Sequence, residues 1–162
     1  QGYISKPIDA EKLEDTLAIF IPPELVIIND SMDEQPVEMT NNLGLSIKDV
    51  DIDEGIYNSG GNPDDYVEIL KIFLEFGRDK MSKIKKHYDD KNVFDYTTEV
   101  HSLKSSAANI GAAKVSALAK ELEFAGKDKN IGLIEEKTET LLSMYSELLD
   151  NIAVAIKEYD NR

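Results

Sequence analysis

The sequence predicts an all-α fold, an antiparallel up-and-down four-helix bundle preceded by a short additional helix. Three observations predict it. From Ile47 almost to the C-terminus, apolar residues recur at spacings of three and four, as one buried helix face requires. Glycines and an Asn-Pro pair punctuate that pattern and leave only brief loops, which sets consecutive helices antiparallel. No stretch after Ile47 alternates apolar and polar residues as a half-buried strand would.

The first helix of this region is short and stops at Ser59-Gly60-Gly61. The acids at its start, Asp49, Asp51, Asp53 and Glu54, lack the glycine and glutamate of a calcium loop and read as a solvated helix start. Asn62-Pro63 restarts the chain, with the proline in a favoured first-turn position. A long helix follows, in which Tyr66, Ile69, Leu70, Phe73, Phe76, Met81, Ile84 and Tyr88 form the inner face. Phe73 and Phe76 are expected in the core. Gly77 interrupts the helix at a cost of about 1 kcal/mol against Ala and marks a candidate bend.

Asn92 is a candidate N-cap for a third helix over 93–109, ended by Gly111. Its buried stripe is Val93, Tyr96 or Thr97, Val100, Leu103, Ala107 and Ile110. A fourth helix, about 112–125, offers Val115, Leu118, Ala119, Leu122 and Ala125 and stops at Gly126. The last, about 131–158, offers Ile134, Leu141, Met144 or Tyr145, Leu148, Ile152 and Ile156. These helices make residues 47–160 one bundle domain. Residues 29–46 are polar, acidic and Pro-containing, which predicts a linker. Residues 1–28 form a separate short stretch broken by Pro22-Pro23.

Composition narrows the function. Hydrophobic residues make up 41% of the 162, enough for a core. There is no cysteine, so thiolate metal sites and disulfides are excluded and a cytoplasmic setting fits. A formal charge of −14 opposes binding to nucleic acid or to an anionic membrane surface. No apolar run approaches the roughly 20 residues that span a bilayer. The chain opens on Gln1 with neither an initiator Met nor a signal peptide, so it is expected to be a piece of a longer protein. With two histidines, no nucleophile elbow and no metal-ligand pair at i, i+4, hydrolase chemistry finds no support.

The chemistry concentrates on the third helix. On a helical wheel, Phe94, Thr98, His101, Ser105 and Ala108 lie opposite the core, with Lys104 at the edge of that stripe. His101 therefore points outward, and its neighbours at i+4 and i+7 are small enough to admit another macromolecule. An unperturbed imidazole titrates near about 6.5, so at neutral pH it carries a free lone pair. The Lys104 ammonium at i+3 disfavours a second positive charge beside it and can balance oxygens on a transferring phosphoryl group. Residues 91–129 hold six lysines against five acids, a neutral-to-basic region in an acidic chain, which suits an acidic partner. His87 has no such context; beside Lys85-Lys86 near a helix end, it is expected to be solvated.

The run His101-Ser-Leu-Lys-Ser-Ser-Ala-Ala-Asn-Ile-Gly-Ala112 resembles the signature of histidine-containing phosphotransfer (HPt) domains, H-x-L-K-G-S-[AS]-x-x-[IL]-G-A. The departure is Ser105, where glycine is more usual. Upstream, Gly55 to Asn62 with Tyr66, Leu70 and Phe73 is similar to the family pattern G-[LI]-x-x-x-G-G-[DN]-x-x-x-[YF]-x-x-x-L-x-x-F. A third match is Leu122-Glu123 with Ala125-Gly126, which puts Glu123 where many members carry Gln or Glu near the histidine ring. The resemblance covers about residues 48–155. It implies a phosphorelay intermediate, not itself an enzyme with an ATP site. His101 would accept a phosphoryl group from one receiver-domain aspartate and pass it to another. Lys104 would stabilise the phosphoryl group, and Ser105, Ala108, Gly111 and Glu123 would support the site or keep it accessible. It further implies no intrinsic cofactor, Mg²⁺ supplied by the partner receiver, and a monomeric domain.

The first residues carry a second resemblance. Gly2-Tyr3-Ile4-Ser5-Lys6-Pro7-Ile8-Asp9 is similar to the C-terminal end of a receiver domain, in which Lys6 would be a relic of the phosphoryl site. The implied parent is a hybrid sensor histidine kinase, which can itself be membrane-anchored. Two other readings compete. A histidine-kinase dimerisation and phosphoacceptor domain would show H-[ED]-[IL]-[RK]-x-P, whereas Ser102 and Ser106 stand here at the second and sixth positions. A non-catalytic helical docking scaffold would be indifferent to His101.

Overall fold

The computed structural model describes residues 43–161. The resemblance at residues 1–28 and most of the predicted linker lie outside the described residues. Five helices follow in order: α1 Ile52–Asn58, α2 Pro63–Asp89, α3 Val93–Asn109, α4 Ala113–Lys127 and α5 Ile131–Asp160. The described residues contain no strand. The fold is all-α, a four-helix bundle (α2 to α5) with α1 as the short additional helix.

Cross-helix pairs fix the antiparallel order. Lys80 bonds to Glu99 and Ser102 while Tyr66, earlier on α2, donates to the carbonyl of Ile110, just past the end of α3. Between α2 and α5 the pairs run Lys71–Asp160, Arg78–Asp150 and Lys85–Glu139. Each pairing descends one helix as it climbs the other. Most residues of the predicted stripes lie in the core, joined by Val67, Leu142 and Leu149, with Tyr66, Tyr96, Tyr145, Leu70, Leu103 and Leu122 among the side chains fully removed from solvent. Apolar burial of this kind is the main driving force of the fold.

The helix starts follow local chemistry. Asn62, Asn92 and Asn130 each accept a backbone N–H of the first turn through the side-chain oxygen, and Asp51 does so for α1. The stops differ from expectation in one case. Gly111, at φ 78°, ends α3, with Ala112 N–H reaching back to the Ala107 carbonyl. Gly126, expected to stop α4, lies inside it, because the helix runs on to Lys127. The turn is made instead by Lys129 at φ 55°, and the α2–α3 turn is made the same way by Lys91 at φ 55°. Both turns are Asp-Lys-Asn, a tripeptide in which lysine takes the left-handed conformation and asparagine caps the next helix.

At Gly77, α2 is continuous, and the missing side chain lets Leu149 of α5 pack on the backbone, where a Cβ would come within 2.3 Å of Leu149 Cδ2. Two further expectations are corrected. Phe76 is 59% exposed, because it lies on the flank of α2 rather than on the inner face with Phe73. Leu43 and Leu45, within the segment read as linker, are buried with Ile47 in the core cluster. Ile47 itself precedes α1, which starts at Ile52.

Candidate functional site

The site lies on the seam between α3 and α4. Two small residues bring these helices close. Gly126 meets Thr97 so tightly that a Cβ would fall 2.0 Å from Thr97 Oγ1. At the other end, Ser116 Oγ donates to the Lys104 carbonyl at 2.9 Å. Between these contacts, the middle of α3 faces the C-terminal half of α4.

His101 projects from α3 with 56% of its side chain exposed. Val100, Leu103 and Ala107 anchor the opposite face with no exposure, so the ring's placement follows from the packing of its own helix. Ser105 and Ala108 are exposed on the same face, as the wheel predicts. Ser105 Oγ bonds to the His101 carbonyl, and the Ala108 carbonyl accepts from Asn58 of α1. Phe94, 80% exposed, and Phe124, 52% exposed, flank this face as apolar surface.

Glu123 reaches the ring from α4. Its Oε1 lies 2.8 Å from His101 Nδ1, although only 2% of the side chain is exposed. Its Oε2 accepts from Lys104 Nζ at 2.8 Å, and Oε1 also accepts from Lys127 Nζ. Burial alone would push this carboxyl up. The hydrogen bonds from Lys104, Lys127 and His101, with the charge of Lys104, outweigh it and hold the pKa at about 2. Glu123 is therefore a sealed carboxylate. An ionised carboxylate only accepts, so Nδ1 carries the proton between them. Nε2 is then the ring nitrogen with the free lone pair, and it has no hydrogen-bond partner among the described residues.

Lys104 lies 3.5 Å from Nδ1 but is bonded to Glu123, so its ammonium faces the carboxylate before it faces the ring. The carboxylate, not the ammonium, is the first neighbour of the imidazole. Gly111 sits apart from the ring. A Cβ there would fall 1.9 Å from the Asp51 carbonyl, so its place is the junction of the α3 end with the segment before α1. Lys127 was missed by the sequence reading. The signal was present in the Glu-to-Lys i, i+4 spacing on α4, a geometry that favours pairing.

His87 is half-buried rather than solvated. With Tyr88, Tyr96 and Ile134 it lines a cavity of about 360 Å³ beside Lys91 and the start of α5, its Nδ1 3.9 Å from Asp95. Among the described residues, no group of three or more His, Cys, Asp or Glu could hold a metal ion. None of the described helices is long and apolar enough to cross a membrane.

Comparison with known proteins agrees with the fold. The family model for the Hpt domain matches residues 68–151, just over half of the chain. The fold is similar to the HPT domain of an Hpt sensor hybrid histidine kinase from Shewanella, at TM-score 0.63 and 16% identity, covering 67% of this chain and 94% of that one. It is also similar to histidine-containing phosphotransfer protein B from Pseudomonas aeruginosa PAO1, at TM-score 0.59 and 16% identity, covering 72% of this chain and 99% of that one. No curated protein matches significantly.

Proposed function

Because this chain belongs to the Hpt domain family, whose members carry phosphoryl groups without an ATP site, we propose that it is a phosphorelay intermediate whose acceptor atom is Nε2 of His101. The observation that supports the atom is the 2.8 Å contact between Nδ1 and the sealed Glu123 carboxylate, which makes Nε2 the lone-pair nitrogen of the neutral imidazole. The lone pair on Nε2 attacks the phosphorus of a receiver aspartyl phosphate. The N–P bond forms as the P–O bond breaks, and its electron pair leaves on the aspartate carboxylate. The ring then carries a positive charge at Nδ1–H, opposite Glu123. Onward transfer to a second receiver aspartate reverses the step.

Positioning and charge neutralisation do most of the work in such transfers. Ser105 and Ala108 leave room for the partner, and Lys104 balances the phosphoryl oxygens. The Mg²⁺ required is carried by the receiver, not by this chain. The partners in this reading are receiver domains of response regulators or of a hybrid kinase, and the parent is a hybrid sensor histidine kinase working at the cytoplasmic side. The isolated domain acts as a monomer. The neutral-to-basic surface of residues 91–129 suits the acidic site of a receiver.

Incubation with a panel of phosphorylated receivers tests the proposal. Acid-labile, base-stable phosphate is expected on the native chain and absent from a folded His101→Gln variant. Phosphate on another residue, or persisting in that variant, overturns it.

A further inference from the structure

Glu123 has more partners than a ring-orienting carboxylate needs. His101 Nδ1 and Lys127 Nζ share Oε1, while Lys104 Nζ takes Oε2. The two lysines differ in what they are tied to. Lys104 stands one turn after His101 on α3 and moves with the ring. Lys127 stands one turn after Glu123 on α4 and stays with the carboxylate, its ammonium also 5.5 Å from the centre of the Phe124 ring.

Charge counting separates their tasks. At rest, one carboxylate and two ammonium groups give the cluster around the ring one net positive charge. A phosphohistidine protonated at Nδ1 carries one net negative charge, so the loaded site is neutral with both lysines present. The phosphoryl oxygens need a cation close by, and Lys104 is the one within 3.5 Å of the ring. Moving it would leave a carboxylate that is 2% exposed with only the charge developing on the ring, unless a second cation remains.

Resting on the reading of His101 as acceptor, we propose that Lys127 is a positioning residue for phosphotransfer. By staying on Glu123 it keeps that carboxylate compensated and against the ring while Lys104 leaves for the phosphoryl oxygens. Lys127 thus sets how readily Lys104 is released, without touching the reacting atoms itself.

The test uses the full 162-residue chain and phosphoramidate as donor, which removes any part Lys127 plays in docking a receiver. In that reaction the Nε2 lone pair forms the N–P bond, the donor's own P–N bond breaks, and its electron pair leaves on ammonia. Labelling of His101 is followed by ³¹P NMR. Lys127→Met is expected to slow labelling roughly tenfold, because Lys104 becomes the sole cation on Glu123 and is trapped there. In the Glu123→Gln background, where a neutral amide cannot trap Lys104, the same substitution is expected to cost less than about twofold. Lys127→Arg keeps the cation, serves as a folded comparison, and should label at near the native rate.

Equal slowing in both backgrounds would overturn the proposal, as would full activity of Lys127→Met in the native background. A native chain that labels at His101 but shows no such dependence sinks the role of Lys127 alone. A native chain that does not label sinks this proposal and the acceptor reading together.

Discussion

His101 and Glu123 meet at 2.8 Å across the α3–α4 seam, one side chain 56% exposed and the other 2%. That asymmetry gives the ring two unlike nitrogens. A buried anion fixes Nδ1, and solvent is left with Nε2. The same contact makes the site part of the stability of the fold, because a sealed carboxylate must stay paired.

The Glu123 pairing predicts an acid-sensitive share of stability. Its folded pKa is lowered from 4.5 to about 2, so its contribution is fully present above pH 4.5 and is lost as pH falls towards 2. After discounting for the partly exposed lysines that supply it, this is worth about 2 kcal/mol. Urea unfolding of the native chain and of Glu123→Gln should differ most above pH 5 and converge only as the pH falls to 2 and below. A gap that does not change with pH would contradict the assignment.

The turn glycines should separate by what surrounds them. Gly111→Ala combines a φ of 78° with a clash against the Asp51 backbone, which has no flexible end to yield. It should cost about 3 kcal/mol or more. Gly60→Ala has a φ of 95° but open space around it, and should cost about 1 kcal/mol. Equal losses in chemical denaturation would refute this ordering.

Gly126→Ala tests the seam itself. The added methyl group must push Thr97 away, at about 1–3 kcal/mol, and widen the gap that Glu123 spans to reach His101. Phosphate labelling should therefore fall together with stability. Unchanged labelling in a destabilised variant would show that the seam does not set the site.

A buried hydroxyl pair on the far side of α3 predicts an asymmetry. Thr138 Oγ1 and Tyr96 Oη are 2.7 Å apart, and Thr138 also donates to the Ile134 carbonyl at 2.6 Å. That second bond makes Tyr96 Oη the donor in the first. Thr138→Val leaves the Tyr96 hydroxyl without its acceptor, a loss of about 1–3 kcal/mol. Tyr96→Phe leaves Thr138 its bond to Ile134, and should cost less. The reverse order in thermal unfolding would refute the bond assignment.

Much of this site was legible in the sequence because it depends on periodicity. The outward placement of His101, Ser105 and Ala108 follows from the apolar stripe behind them. The small residue at 126 was visible too, but its meaning was not. A glycine near a helix end reads as a stop, whereas close packing against Thr97 is a property of two helices together. Lys91 and Lys129 were illegible as turn makers, since lysine enters the left-handed region only when the surrounding helices hold it there. Phe76 was misplaced because its spacing from Phe73 is helical, yet it sits on the flank of α2. The triple pairing of Glu123 needed the seam, although Lys127 alone could have been found by its spacing.

The most direct test is to phosphorylate the chain and locate the phosphorus by long-range ¹H–¹⁵N and ³¹P NMR. The account predicts a phosphohistidine at His101 bonded through Nε2, with a proton retained on Nδ1. Phosphorus on Nδ1, or on any other side chain, would contradict it.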